Sequence, residues 1–121
     1  MGLGIGWLTI DSREPRKLGE FWKEALGLDV AWEDDDGSEY ALKGNGWANS
    51  YWHVLFYKAP DPKQVKNRLH LDLVPEDQDA EVARLEALGA RRVDIGQRDV
   101  SWVVMADPEG NEFCILTPRP A

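Results

Sequence analysis

The sequence is poor in cysteine and has no long apolar run. Cys114 is the single cysteine in 121 residues, which excludes an internal disulfide framework and favours a reducing compartment. No apolar run approaches the roughly 18 residues that a membrane helix needs. Residues 1–6 lack the basic and apolar regions of a signal peptide. We therefore expect a cytoplasmic protein without a membrane segment.

Positive charge is also scarce. The chain carries 14 lysines and arginines against 22 aspartates and glutamates, which gives a net charge of -8. Such a charge repels nucleic acid and anionic membranes, and the two basic stretches, at residues 13–17 and 63–68, are short. The contents of 43% apolar and 30% charged residues are typical of one soluble globular domain. We expect neither nucleic acid nor a membrane among its partners.

One pattern occurs twice along the chain. The residues Glu24–Gly27 recur as Glu86–Gly89, each time at the end of a helical pattern. A strand pattern precedes each helix, and a strand that contains an aromatic residue follows it. This order predicts an α+β fold in a single domain over residues 1–121. The domain should contain two tandem βαβββ modules, at about residues 5–58 and 66–118.

Periodicity and turn residues place the elements of each module. Apolar residues at helical spacing predict a first helix from Pro15 to Gly27, with Ser12 or an aspartate as its cap. A second helix is predicted to begin near Asp77 and to end at Gly89. The predicted strands are residues 7–11, 28–33, 38–43 and 51–58 in the first module, and 68–74, 91–95, 101–106 and 112–116 in the second.

The predicted strand at residues 68–74 carries three functional groups on one face. Its leucines alternate with polar residues, which places Leu69, Leu71 and Leu73 on one face and Arg68, His70 and Asp72 on the other. Functional groups are costly to bury without partners. We therefore expect the polar face to line water or a ligand cavity.

Three local features occur within the two modules: the Phe21-Trp22 pair and Leu26-Gly27 in the first helix, and the turn Asp107–Asn111 before the last strand. Together these features resemble the vicinal oxygen chelate superfamily, which includes glyoxalase I, bleomycin-resistance proteins and extradiol dioxygenases. The runs Lys66–Leu73 and Asn111–Cys114 look more narrowly like its glyoxalase-like bacterial branch. The resemblance implies curved mixed sheets that form a cup, with the helices packed outside.

The resemblance also implies that modules pair, within a chain or between chains. Six tryptophans on a small acidic chain leave apolar surface that association would cover. We therefore expect a homodimer.

In metal-dependent members of the superfamily, His or Glu side chains from the first and last strands of the modules bind a divalent ion. The matching positions here hold Trp7, Phe56 or Tyr57, His70 and Cys114. Tryptophan cannot ligate a metal, and a His–Cys pair falls short of the three protein ligands of a catalytic site. We therefore expect no metal and no other cofactor; a divalent metal at His70 is the alternative.

Two hypotheses for the function follow. The first is a protein that binds a small aromatic or apolar molecule in an aromatic-lined cup, as bleomycin-resistance proteins do. The second is a glyoxalase-like enzyme, of lyase, isomerase or dioxygenase type, in which His70 is the acid or base and Asp72 orients it. The candidate catalytic residues are thus His70 and Asp72.

The candidate ligand-binding residues combine aromatic and polar side chains. They are Trp7, Thr9, Trp52, Tyr57, Arg68, His70, Trp102 and Cys114. Strand alternation places Trp7 and Thr9 on the cup face if Leu8 and Ile10 face the helix. Structural roles are the alternatives: sheet packing for the aromatic residues, a surface imidazole held by a carboxylate for His70, and a small buried apolar side chain for Cys114.

Overall fold

A computed structural model describes residues 2–44 and 52–119 of the chain. It divides into two compact units, the first up to Pro62 and the second from Lys63 onward. Each unit contains one helix and one curved, open, four-stranded sheet, so the predicted α+β fold of two βαβββ modules is confirmed. No helix among the described residues is long and apolar enough to cross a membrane.

The first unit contains four strands and one helix. In chain order they are β1 (Trp7–Ser12), α1 (Pro15–Leu26), β2 (Val30–Glu33), β3 (Glu39–Leu42) and β4 (His53–Lys58). The sheet order is β1-β4-β3-β2, and β1 runs parallel to β4 while the other neighbours are antiparallel. The predicted turn at residues 44–46 lies outside the described residues except for Gly44. Tyr51, the predicted start of the fourth strand, also lies outside them.

The second unit repeats this plan. Its elements are β5 (Asp72–Leu73), α2 (Gln78–Leu88), β6 (Arg91–Arg92), β7 (Val103–Ala106) and β8 (Glu112–Ile115). The sheet order is β5-β8-β7-β6, with β5 parallel to β8 and the other neighbours antiparallel. The duplication predicted from the sequence is therefore visible in the strand order of both sheets.

Helix α1 packs its apolar stripe, which includes Leu18 and Trp22, against one face of the first sheet. It ends at Gly27, which takes a left-handed conformation at φ 66°, as predicted. The predicted cap is wrong, because Glu14 occupies the N-cap position without a side-chain cap. The Ser12 hydroxyl instead accepts a hydrogen bond from the Glu14 N–H, one residue outside the helix.

Helix α2 begins after Asp77, whose carboxylate accepts a hydrogen bond from the Ala80 N–H. Its buried residues are Val82 and Leu85. The Gln78 side-chain amide donates to the carbonyl oxygens of Ser101, of Ile115 at the end of β8, and of Leu116. The start of the helix is thereby tied to the strands of its own sheet.

The strand predicted at residues 68–74 is much shorter than expected. Only Asp72–Leu73 is regular, and Leu69, predicted to be buried, is 85% exposed. Hydrogen bonding to the neighbouring strand starts where the Cys114 N–H donates to the Leu71 carbonyl. Upstream of Leu71 no described residue belongs to the ladder, so alternation does not bury a face there.

Candidate functional site

A pocket of about 440 Å³ opens in the second unit. Four residues predicted from the sequence line it: His70, Asp72, Trp102 and Cys114. The other four lining residues, Ile95, Gly96, Gln97 and Leu116, were not predicted. These eight residues define the second-unit pocket.

The parallel pairing of β5 and β8 brings the polar residues of the pocket together. Asp72 and Cys114 are partners in this register, so their side chains lie on the same face of the sheet. Leu116 follows Cys114 by two residues, and Trp102 directly precedes β7. Aromatic, aliphatic and ionisable groups therefore meet on one side of one sheet.

Asp72 is the centre of a small polar cluster. Its Oδ1 lies 3.2 Å from His70 Nε2, within hydrogen-bonding distance. It also accepts a hydrogen bond from the Cys114 thiol. The carboxylate thus lies between the imidazole and the thiol, which differs from the Cys–His–Asp order of a nucleophilic triad, in which histidine is in the middle.

The thiol of Cys114 is held in its protonated form. Burial raises its pKa, and the negative charge of Asp72 and the hydrogen bond to that carboxylate raise it further. The thiolate is the nucleophilic form of cysteine. Cys114 is therefore a weak nucleophile and serves the pocket as a small, weakly polar wall.

The segment that carries His70 is anchored by a side chain of β8. Glu112 Oε2 lies 2.6 Å from Lys63 Nζ, and Glu112 Oε1 accepts a hydrogen bond of 2.7 Å from the Asn67 N–H. Burial raises the pKa of Glu112, but the Lys63 and Asn67 interactions together hold it below its usual value. The irregular segment before β5 is thus fixed by a largely buried ion pair rather than by strand pairing.

Replacing Glu112 with glutamine is expected to lower the free energy of unfolding by about 2 kcal/mol near neutral pH, because Lys63 and Asn67 lose an anionic acceptor. The folded-state pKa of Glu112 is lowered, so its stabilisation is present above the ordinary value of 4.5 and is lost as pH falls below it. In urea unfolding, the difference in the free energy of unfolding between the variant and the parent should become smaller as the pH is lowered from about 7 to about 3.5. Glu76→Gln, an exposed site in the same unit, is the control, and a difference that does not change with pH would contradict the role given to Glu112.

The first unit holds a separate aromatic cluster. The ring of Trp7 stacks on His53 at 5.9 Å between centroids and meets Trp32 edge-on at 5.4 Å. Trp7 is 54% exposed, and His53 Nδ1 is buried without a hydrogen-bond partner in the described part of the chain. Thr9 and Tyr57, both exposed, lie on the same sheet face as Trp7 by the register of β1 and β4.

The remaining predicted site residues lie outside the second-unit pocket. Trp52 is half-buried and directly precedes β4, and Arg68 is exposed in the segment before β5. Leu116 could have been predicted, because it follows Cys114 at the spacing of one strand face. Ile95 and Gln97 lie in a loop. The sequence predicted a strand that ended at Ile95 and made no prediction for Gln97.

The residues of the chain fit the superfamily's divalent metal poorly. Trp7 and Phe56 have no ligand atom and Tyr57 would be an uncommon ligand, which leaves His70 and Cys114 of the matching positions. Asp72 supplies a third donor, and one ligand atom of each of the three lies within 4.8 Å of the others. A metal there would have to displace the thiol proton of Cys114, and Trp7 would add no ligand to these three donors.

Comparison with known proteins identifies the family. A family model described as a glyoxalase-like domain matches residues 7–116. No curated protein sequence matches the chain.

Solved structures show the same fold at low sequence identity. A glyoxalase/bleomycin resistance/dioxygenase family enzyme from Burkholderia phytofirmans PsJN is 16% identical, with a TM-score of 0.71 over 97% of this chain and 100% of that one. A mutant of the fosfomycin resistance protein FosX from Listeria monocytogenes, complexed with Mn(II) and 1S,2S-dihydroxypropylphosphonic acid, is 15% identical, with a TM-score of 0.73 over 98% and 93%. TnmS3, an antibiotic binding protein from Streptomyces sp. CB03234, is 20% identical, with a TM-score of 0.64 over 98% and 99%.

Proposed function

Because the chain belongs to the glyoxalase-like domain family, we propose that it binds a small aromatic or apolar molecule in the second-unit pocket, without the divalent metal of other superfamily members. One fold serves many chemistries in such a superfamily, so the proposal rests on the pocket itself. The homodimer expected from the sequence remains a prediction.

The observation that carries the proposal is the composition of the pocket wall. Trp102 is 40% exposed at the pocket, and Ile95 is likewise 40% exposed. The same pocket is lined by His70 and Asp72, which form a short polar edge. Binding sites for small organic molecules combine largely apolar walls with a few polar groups that fix orientation in this way.

The comparisons support a binding role only through the fold. TnmS3 is described as an antibiotic binding protein, so this architecture accommodates the binding of a small molecule. The FosX structure holds Mn(II) and a phosphonic acid. This chain has no ligand atom at Trp7, which supports binding without such an ion.

A screen of planar aromatic compounds tests the proposal. A ligand in the second-unit pocket should quench tryptophan emission, because Trp102 lines it. Hits should be recovered unchanged by mass spectrometry after prolonged incubation with the protein. The NMR signal of the Trp102 indole N–H should also shift on binding. The proposal fails if no compound of this class binds, or if every hit leaves that signal unshifted.

The second candidate function is catalysis by His70. The specific observation in its favour is the 3.2 Å pair of His70 Nε2 and Asp72 Oδ1, because a carboxylate that orients an imidazole is a common acid/base arrangement. Catalysis would be favoured over simple binding if the protein converts a hit into a product. His70→Ala should then abolish the conversion while the variant still binds the hit.

Purified protein is expected to hold well under one equivalent of zinc, nickel, iron or manganese after dialysis against each ion and then against buffer. The physical reason is that Trp7 cannot ligate and that a metal at Cys114 would have to displace the thiol proton. Elemental analysis measures the metal content. Near-stoichiometric metal that is lost in both His70→Ala and Cys114→Ser would overturn the metal-free proposal.

A further inference from the structure

We propose that the second-unit pocket selects a planar aromatic ring that carries a positive charge, such as an amidinium or an alkylammonium group. This inference rests on the proposed function, because it assigns a charge to the ligand of that same pocket. It goes further in stating which polar group of the ligand meets which side chain.

Asp72 carries the negative charge of the pocket lining, and the imidazole of His70 beside it is a cation only when protonated. Among the described lining residues, Asp72 is the carboxylate, and there is no lysine or arginine. The Asp72 side chain is 53% exposed. A carboxylate has about four acceptor positions on its two oxygens, and His70 and Cys114 use two of them. Asp72 therefore has acceptor capacity left for a donor group on a ligand.

The lysines and arginines of the segment before β5 are not among the residues that line the pocket. Lys63 is paired with Glu112 at 2.6 Å, and Arg68 is exposed outside the pocket lining. Lys66 does act on the Cys114 thiol, where it opposes Asp72, but its effect is smaller than either effect of Asp72. At the Cys114 thiol, the negative charge of Asp72 therefore outweighs the positive charge of Lys66.

An aromatic cation satisfies both sides of the pocket at once. Its ring can stack on Trp102, and its charged N–H groups can donate to Asp72, in bonds that are stronger than those between neutral groups. An indole face also attracts a cation directly. An anionic ligand would instead bring a like charge beside Asp72, and no lysine or arginine among the described lining residues would offset the repulsion.

Three nearly isosteric probes separate charge from shape: benzamidinium, benzamide and benzoate. Titrations followed on the indole N–H signal of Trp102, assigned with Trp102→Phe, are expected to rank benzamidinium first and benzoate last. Asp72→Asn should weaken benzamidinium by about tenfold and leave benzamide unchanged. Asp35→Asn removes the same unit of net charge from an exposed turn of the first unit and should leave all three affinities unchanged.

The outcomes distinguish this inference from the proposed function. If benzoate or benzamide binds at Trp102 as tightly as benzamidinium does, or if Asp72→Asn leaves benzamidinium unaffected, the charge assignment is overturned and the binding pocket stands. If none of the three probes shifts the Trp102 signal but a hit from the aromatic screen does, only this inference fails; if no hit does so either, both fail. Should Asp72→Asn not fold, the parent protein still gives the answer, because added salt should weaken benzamidinium and spare benzamide, and an equal response of the two would overturn the inference.

Discussion

Replacing Trp102 with alanine is expected to weaken the binding of planar aromatic ligands by about tenfold or more, since it removes both stacking and buried apolar contact. Trp102 is 40% exposed and lies just before β7, so its removal should change the free energy of unfolding far less than the affinity. Isothermal titration of each screening hit against the parent and the variant measures this effect.

Two further variants make the result specific. Trp102→Phe keeps an aromatic face and should retain most of the affinity. Trp7→Ala reports whether the first unit contributes to the same ligand, as the sequence led us to expect. If a folded Trp102→Ala variant binds as tightly as the parent, Trp102 does not contact the ligand and the binding site lies elsewhere.

Replacing Gly19 with alanine is expected to destabilise the first unit by about 2 kcal/mol or more, although alanine is the better helix former. A Cβ at this position would overlap the ring carbons of Tyr40, which is 3% exposed. The ring lies in a packed layer between α1 and β3, so it cannot move aside without disturbing other core residues. Urea unfolding of the parent and the variant measures the loss.

The same substitution in a Tyr40→Leu background is the matched control. Because the overlapping ring is then absent, Gly19→Ala should cost much less, or even stabilise the helix. Equal penalties in both backgrounds would mean that contact with Tyr40 is not the cause.

The helices could be predicted from the sequence because their signals are local. Spacing of apolar residues and a terminal glycine placed the α1 end at Leu26–Gly27 and the α2 end at Leu88–Gly89, as the structure shows them. The cap of α1 was missed because Glu14 is a residue type seldom found at an N-cap. Ser12 offers its hydroxyl two positions before the N-cap.

Strand ends depend on partners that are distant in sequence. The alternation of leucines around His70 predicts a long strand, but pairing with β8 begins only at Leu71. Upstream of it, Glu112 holds Lys63 and the Asn67 N–H by side-chain contacts. Nothing in the local pattern of residues 63–71 indicates these contacts.

Part of the site could likewise be read from the sequence. The grouping of His70, Asp72 and Cys114 follows from strand alternation together with the positions implied by the family resemblance. The pocket loop was not predicted, because the run 91–95 indicated a strand whereas only Arg91–Arg92 is regular. Gly96, at φ 86°, marks the turn that brings Ile95 and Gln97 to the pocket.

The central claim is that the second-unit pocket binds a small aromatic molecule without a metal. The most direct test is an isotope-filtered NOE spectrum of the labelled protein with the best screening hit, recorded in excess EDTA. We expect NOEs from the aromatic protons of the ligand to the Trp102 indole and to the methyl groups of Ile95 and Leu116. NOEs confined to other residues, or binding that disappears when EDTA is added, would contradict the claim.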